Sequence, residues 1–463
     1  MPGLSPLLHT GSTPFAYPFM FATSDEIRSH FSLTMSDMYR LEVPLYGDLL
    51  ALVADINARQ GSSDEEGGRP ARIAIERHGA IRLGTPQELA TMRRVLAVMG
   101  MHPVGYYDLS TAGLPVHATA FRPTDARSLA VNPFRLFTSL LRLELIRDEA
   151  LRRKAAELLA RRQIFTDRLL ELLAVHEGQG GLTQAQANEF VSEAMETFRW
   201  HGTATVSHSG YQQMNAEHRL VADIVCFKGP HINHLTPRTL DIDAAQQEMI
   251  RRGIPAKDVI EGPPTRRCPI LLRQTSFKAL EERVTFIAGG QSVQASHTAR
   301  FGEIEQRGQA LTPVGRALYD RLLEEAQRCG SLEDAFRGFP DDLDAIRQQG
   351  LGYFRYELTD AGRESGEVFN RGGDLEAWIR AGWVTAQPIL YEDFLPVSAA
   401  GIFRSNLGDA APWADPLAMG ANQAAFEQAL GAPVWNAMTG YAQEEAASLD
   451  RLFAAGVNLA CPS

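Results

Sequence analysis

Of twelve histidines and 56 acidic residues in this 463-residue chain, only a few stand where their spacing suits chemistry. His78 lies in the strand-like segment ERHGAIRLGT, which leads into a helix. His231 and His234 lie in HINHLTPR, three apart and so on opposite parities of a strand. Only one of the two is expected to face a cleft. His234 leads directly into the next helix as His78 does, so it is favoured, with His231 a local hydrogen-bonding partner. ARFGEIEQRG puts Glu303, Glu305 and Arg307 on one strand face and Ile304 and Gln306 on the other. A carboxylate aimed into a protein interior is unfavourable unless a cation meets it, and a metal ion satisfies that need. Two neutral imidazoles and one carboxylate leave three faces of an octahedron open, the arrangement of non-haem Fe(II) oxygenases. Those faces suit a bidentate 2-oxo acid and dioxygen. Glu144 in LRLELI is a competing carboxylate, and His208, His218 and His297 are alternative imidazoles.

Arg82 stands four residues beyond His78. In an extended strand the two share a face, about 13 Å apart at Cα. A guanidinium there would meet the far carboxylate of a short dicarboxylic acid whose other end chelates the metal.

These side chains need strands to hold them. The chain reads as α+β, with paired βαβββ units forming a curved central sheet, a large helical insert and additional helices. Residues 1–70 form an N-terminal helical segment. The first unit spans 71–148: a strand over 72–83, a helix opened by Gly84-Thr85-Pro86 and stopped at Gly100, then three extended pieces. A helical insert covers 149–220, with capping-box spacing at Thr183 and Gln186. The second unit spans 221–311, with a helix starting near Asp241 or Asp243, a stop at Gly253, and strand-like pieces near 258–261, 269–277, 283–287 and 298–307. His78 precedes Gly100-Met101 by 22 residues and His234 precedes Gly253-Ile254 by 19, which supports a repeat. Residues 312–463 read as C-terminal helices and strands packing around the sheet.

Composition bounds the partners. With 44% apolar and 22% charged residues the chain is an ordinary globular one, and its net charge of −11 argues against a nucleic-acid partner. No apolar run is long enough to cross a membrane, and the N-terminus lacks the basic region of a signal peptide. The four cysteines are far apart, which fits a reducing cytoplasm rather than a disulfide scaffold. Only Lys154, Lys228, Lys257 and Lys278 are lysines, so Arg supplies nearly all the cations. Most of these Arg are expected at the surface.

EIEQRG resembles the metal-binding strand of 4-hydroxyphenylpyruvate dioxygenases, and INHLT resembles the His-bearing strand of the same vicinal-oxygen-chelate fold. ERHGAIRLGT, HINHLTPR, ARFGEIEQRG and YEDFLPVSAAGIFRSN together resemble the 2-oxoadipate dioxygenase/decarboxylase family, the hydroxyglutarate synthases, over nearly the full length. The resemblance implies metal ligation by His78, His234 and Glu303, a substrate-carboxylate contact at Arg82, and substrate contacts at Val397 and Ser398. It implies Fe(II), dioxygen and a small 2-oxo dicarboxylic acid, with 2-oxoadipate converted to 2-hydroxyglutarate and CO2 in lysine breakdown. The alternatives are a metal-dependent lyase or isomerase of glyoxalase type, which usually shows a second metal carboxylate, and a non-catalytic small-molecule binding protein of the same fold.

Overall fold

The computed structural model describes residues 21–61, 65–66, 69–288, 291–395 and 416–459. Two helices come first, α1 (Ser24–Glu42) and α2 (Pro44–Arg59). Thr23 and Glu26 close a capping box on α1, and Pro44 opens α2 from its first turn.

The first unit consists of β1 (Arg77–Leu83), α3 (Pro86–Val98), β2 (His102–Asp108), β3 (Val116–Arg122) and β4 (Arg135–Leu141). Thr85 caps α3, and Gly100 ends it at φ 65°. The strand expected over 72–83 begins only at Arg77. Arg72–Ile75 is instead one helical turn, whose Arg72 pairs with Glu76 four residues on. The insert holds α4 (Glu149–Ala160), α5 (Asp167–Gln179), α6 (Gln184–Phe198) and α7 (His208–Glu217). It runs past residue 220, because α8 (Arg219–Val225) follows at once with His218 as its N-cap.

The second unit contributes β5 (His234–Pro237), α9 (Ile242–Arg251, capped by Asp241) and β6 (Leu272–Ser276). The hairpin β7 (Glu281–Ala288) and β8 (Gln291–Thr298) and the strand β9 (Phe301–Arg307) complete it. Residues 258–261 form no strand, since Gly262 turns at φ 114° and Pro263-Pro264 follow. The hairpin departs further from expectation. It stands apart as a two-stranded sheet instead of supplying the unit's third sheet strand. Most of β8 is exposed, so it has no apolar face to lay on the main sheet.

The main sheet has seven strands in the order β2-β3-β4-β1-β5-β9-β6 and curls around its inner face. In each unit the first strand pairs in parallel with the last, β1 with β4 and β5 with β9. The units meet through the antiparallel pair β1–β5. That shared arrangement is the repeat, expressed as pairing.

Residues of alternate parity feed two cores. Ile81, Leu136, Leu140, Leu235 and Ile304 join the helices, including Phe31, Leu49, Met92 and Phe190. Ala80, Ala118, Ala120 and Phe137 line the inner face with Tyr391 and Phe394. The C-terminal part thus packs into the curl as well as around it. Its strands β10 (Phe354–Leu358) and β11 (Val384–Pro388) form a separate antiparallel two-stranded sheet. Among the described residues seven arginines are buried, including Arg28, Arg122, Arg135 and Arg300. No helix among them is long and apolar enough to cross a membrane.

His117 on β3 is buried against Phe426 and Tyr106. Burial, aided by the Arg142 cation, pushes its imidazole down to about 4. The unfolded chain takes up this proton near pH 6.5 and the folded one does not, so acid favours unfolding. Thermal unfolding should therefore show stability falling as pH drops from about 6.5 towards 4, and His117→Asn should flatten part of that slope. An unchanged slope in the variant would assign the effect to other groups.

Candidate metal centre

Three neighbouring strands deliver the site. β1 sends His78, Ala80 and Arg82 to the inner face, β5 sends His234 and Thr236, and β9 sends Glu303, Glu305 and Arg307. Register then fixes who meets whom. His78 lies across from Thr236, Ala80 from His234, and Phe301 from His234. Gly79 permits the approach of β5, since a Cβ there would sit 2.6 Å from Ile232 Cδ1 and 3.1 Å from the His234 carbonyl.

His78, His234 and Glu303 are fully buried, and one ligand-type atom from each lies within 4.8 Å of the others. His78 Nε2 is 3.0 Å from Glu303 Oε1. The same oxygen accepts from Gln274 Nε2 at 2.6 Å and Thr236 Oγ1 at 3.2 Å. Glu303 Oε2 and both nitrogens of His234 have no hydrogen-bond partner in the protein. Buried polar atoms are rarely left so. Two imidazoles and a carboxylate with unpartnered lone pairs in an enclosed site are a donor set that fits a divalent metal.

The electrostatics agree with that use. Burial holds His234 well below its usual pKa, with His78 and the Arg82 cation adding to the effect, so its imidazole is neutral. Burial pulls His78 down too, but Glu305 and Glu303 outweigh it and raise it. Burial of Glu305 is overcome by Arg307 and His78, which hold its carboxyl at about 2. Glu305 Oε2 lies 3.0 Å from His78 Nδ1, in ion-pair range though not aligned as a hydrogen bond. The two glutamates thus flank opposite nitrogens of one ring, and Glu303 is the one grouped with both histidines. Aromatic walls enclose the rings. Phe394 meets His78 edge-on at 4.9 Å, and Phe301 lies 4.9 Å from His234.

Arg82 is buried on the same face of β1, but its Nη1 donates to Asp223 Oδ2 at 2.6 Å. His231 takes the predicted supporting place, 3.1 Å from Asn233 Nδ2 and 3.4 Å from Asp223. The competing groups stand elsewhere. Glu144 is exposed and paired with Arg142, His218 caps α8, and His297 bonds Asp223. His208 packs on Phe286. Val397 and Ser398 lie outside the described residues.

Several neighbours escaped sequence reasoning. Arg135, directly across from His78 in register, pairs with Glu76 and Glu392. Arg72 joins both acids, and Arg238 joins Glu76. Arg122 grips Asp393 through two hydrogen bonds, and Arg307 donates to the carbonyls of Tyr391 and Asp393. These contacts pin residues 391–394 and so place Phe394 on His78. The available signals were adjacent acids in the apolar context YEDFLP and a lone Asp in LVADIVCF.

Replacing His78, His234 or Glu303 by Ala should abolish stoichiometric binding of a divalent metal, measured by elemental analysis after dialysis. Glu305→Gln should keep the site but weaken affinity roughly ten- to a hundred-fold, as loss of a partner to a ligand imidazole does. Full metal occupancy in Glu303→Ala with loss in Glu305→Ala would move the ligand to Glu305.

Comparison with known proteins bears on the same residues. The family model for 2-oxoadipate dioxygenase/decarboxylase matches residues 31–406. A protein of that name from Escherichia coli (strain K12) is 57% identical over 443 residues, covering 93% of this chain and 98% of the relative. One from Pseudomonas putida is 56% identical over 450 residues, covering 93% and 96%. The crystal structure of the hydroxyglutarate synthase from Pseudomonas putida in complex with 2-oxoadipate superimposes with a TM-score of 0.84 at 51% identity, covering 94% of this chain and 99% of that one. With a matched family model over most of its length and relatives above half identity, this chain belongs to the 2-oxoadipate dioxygenase/decarboxylase family.

Proposed function

We propose that this protein is an Fe(II)-dependent dioxygenase that converts 2-oxoadipate and dioxygen to 2-hydroxyglutarate and CO2, as a step of lysine breakdown in the cytoplasm. The observation that carries the reading is the buried His78–His234–Glu303 group with unpartnered ligand atoms, beside an arginine on the same strand face. The net reaction balances: carbon 1 leaves as CO2, carbon 2 becomes a carboxylate with one oxygen atom, and the adjacent carbon gains the other as hydroxyl. No second organic substrate is needed. Bound Fe(II) supplies the electrons that activate dioxygen and the Lewis acidity that binds a 2-oxo acid.

The chain's own residues do the rest. His78, His234 and Glu303 hold the metal from one side of the curl, and Gln274 and Thr236 orient the Glu303 carboxylate. Arg82 meets the far carboxylate of the diacid. Ala80 lies between His78 and Arg82 on β1, and Ser139 and Ala118 lie in register beside Arg82, so small side chains leave room for a short chain. Phe394 and Phe301 keep water from the reacting end. Val397 and Ser398 are further substrate contacts by the likeness of their motif. The glyoxalase-type alternative gains nothing from Glu144, whose exposed side chain is turned to Arg142. Cys226, Cys268 and Cys329 are free thiols, which is in keeping with a reducing compartment.

Two experiments test this. Protein loaded with Fe(II) should consume dioxygen and release CO2 in equal amounts from 2-oxoadipate without added 2-oxoglutarate. Product formation at an unchanged rate without oxygen would overturn the reading in favour of a lyase or isomerase. Arg82→Met should retain iron while kcat/KM for 2-oxoadipate falls about ten- to a hundred-fold, the loss of a charge-assisted fork, and Arg82→Lys should recover only part. Wild-type kcat/KM in Arg82→Met would place the anchor on another residue.

A further inference from the structure

We infer that Asp223, held by His297 and Tyr211, is a positioning residue that sets the Arg82 guanidinium and thereby the preference for a dicarboxylic over a monocarboxylic 2-oxo acid. The inference rests on the reading of Arg82 as the far-carboxylate anchor.

The geometry is specific. Asp223 Oδ2 accepts from Arg82 Nη1 at 2.6 Å, and its other oxygen lies 2.9 Å from His297 Nε2. The second ring nitrogen of His297 is 2.9 Å from the Tyr211 hydroxyl. Arg82, Asp223, His297 and Tyr211 are all buried. Trp200 stacks parallel to the His297 ring at 6.4 Å and Phe227 lies 4.9 Å away, so the imidazole has little freedom to turn.

These residues come from elements remote in sequence from β1. Tyr211 and Asp223 lie on α7 and α8, at the end of the helical insert. His297 lies on the hairpin that stands out of the main sheet. The insert lies between the two units, and the hairpin has no counterpart in the first unit. Along β8 His297 is the one buried side chain. Asp223 is the one charged residue of Leu220–Val225, where every other side chain is apolar and buried. The insert and the hairpin converge on the Arg82–Asp223 ion pair.

An arginine anchoring a carboxylate in a buried cleft needs a counter-charge while the cleft lacks substrate, because a lone buried cation is unfavourable. It also needs a fixed plane, because bidentate recognition depends on orientation. Asp223 answers both needs. One carboxylate oxygen holds a guanidinium nitrogen, and the ring of His297, itself fixed by Tyr211, holds the other. The planar fork carries five donors and is large enough to serve two carboxylates. An anchor held this way gauges length, since the chelated end is fixed at the metal and the far end must reach a guanidinium that does not follow it.

The test uses the full chain loaded with Fe(II), with 2-oxoadipate and 2-oxohexanoate as probes. Dissociation constants are measured without oxygen, kcat/KM with it, and iron content and thermal unfolding are recorded for every variant. Asp223→Asn should keep its iron and lower the diacid-to-monoacid affinity ratio about tenfold or more, the scale seen when the partner of a binding group is removed. Monoacid binding should change little. His297→Gln should move the ratio the same way by a smaller factor, and it carries the test if Asp223→Asn does not fold. In an Arg82→Met background Asp223→Asn should change the ratio no further, because the two residues act as one unit. An unchanged ratio in Asp223→Asn, or an equal loss for both acids, overturns the inference while a sensitive Arg82→Met leaves the anchor standing. A diacid preference retained in Arg82→Met overturns both.

Discussion

A fully buried carboxylate between two buried imidazoles is the constraint on which the rest of the molecule depends. Glu303 has one oxygen held by Gln274 and Thr236 and the other without a protein partner, and His234 has no partner at either nitrogen. In a protein interior such groups are tolerated when a cation completes them, and an uncompensated buried charge costs about 3–5 kcal/mol. The strand order follows from this need. β1, β5 and β9 are consecutive in the sheet, so three side chains separated widely in sequence become neighbours across two strand spacings. The junction of the two repeats, β1 with β5, is therefore the place where the site forms.

Around that centre the protein distributes charge unevenly. On one side Glu305, Arg307, Arg135, Glu76 and Glu392 form a dense alternation of acids and guanidiniums. Nearly every cation in it is Arg, whose planar fork allows one side chain to bridge two partners, as Arg135 does between Glu76 and Glu392. This network holds residues 391–394 against the inner face, and Phe394 follows onto His78. On the other side Arg82 pairs with Asp223, which is backed by His297 and Tyr211 and lies 3.4 Å from His231. Because His234 is neutral and His78 is flanked by acids, the two imidazoles are not equivalent despite their matching places in the repeat.

The repeat is symmetric where the two buried histidines stand and asymmetric elsewhere. Both units place their first strand parallel to their last, which brings a histidine to the same side of the sheet. The second unit then gives up a sheet strand to the β7–β8 hairpin, and helix α8 at the end of the insert carries an acid inward. Small residues, Ala80, Ala118 and Ser139, occupy positions beside Arg82.

Sequence alone determined what depends on local periodicity and local caps. Thr85 and Pro86, Thr183 and Gln186, and Asp241 mark helix starts by chemistry confined to one turn. Strand parity placed His78 with Arg82, and Glu303 with Glu305 and Arg307, because alternate side chains share a face whatever the partner strand. Parity has no power to choose between residues two apart, and register supplies the placement that parity lacks: β9 pairs Phe301 with His234 and thereby sets Glu303 beside both histidines. The hairpin was misplaced for the same reason, since a strand-like pattern does not say which sheet a strand joins. Asp223 lies 141 residues from the guanidinium it holds, and Glu392 lies 257 from Arg135. Only tertiary packing decides such contacts, because they depend on how remote elements close on one another and leave no trace in the spacing of neighbouring residues.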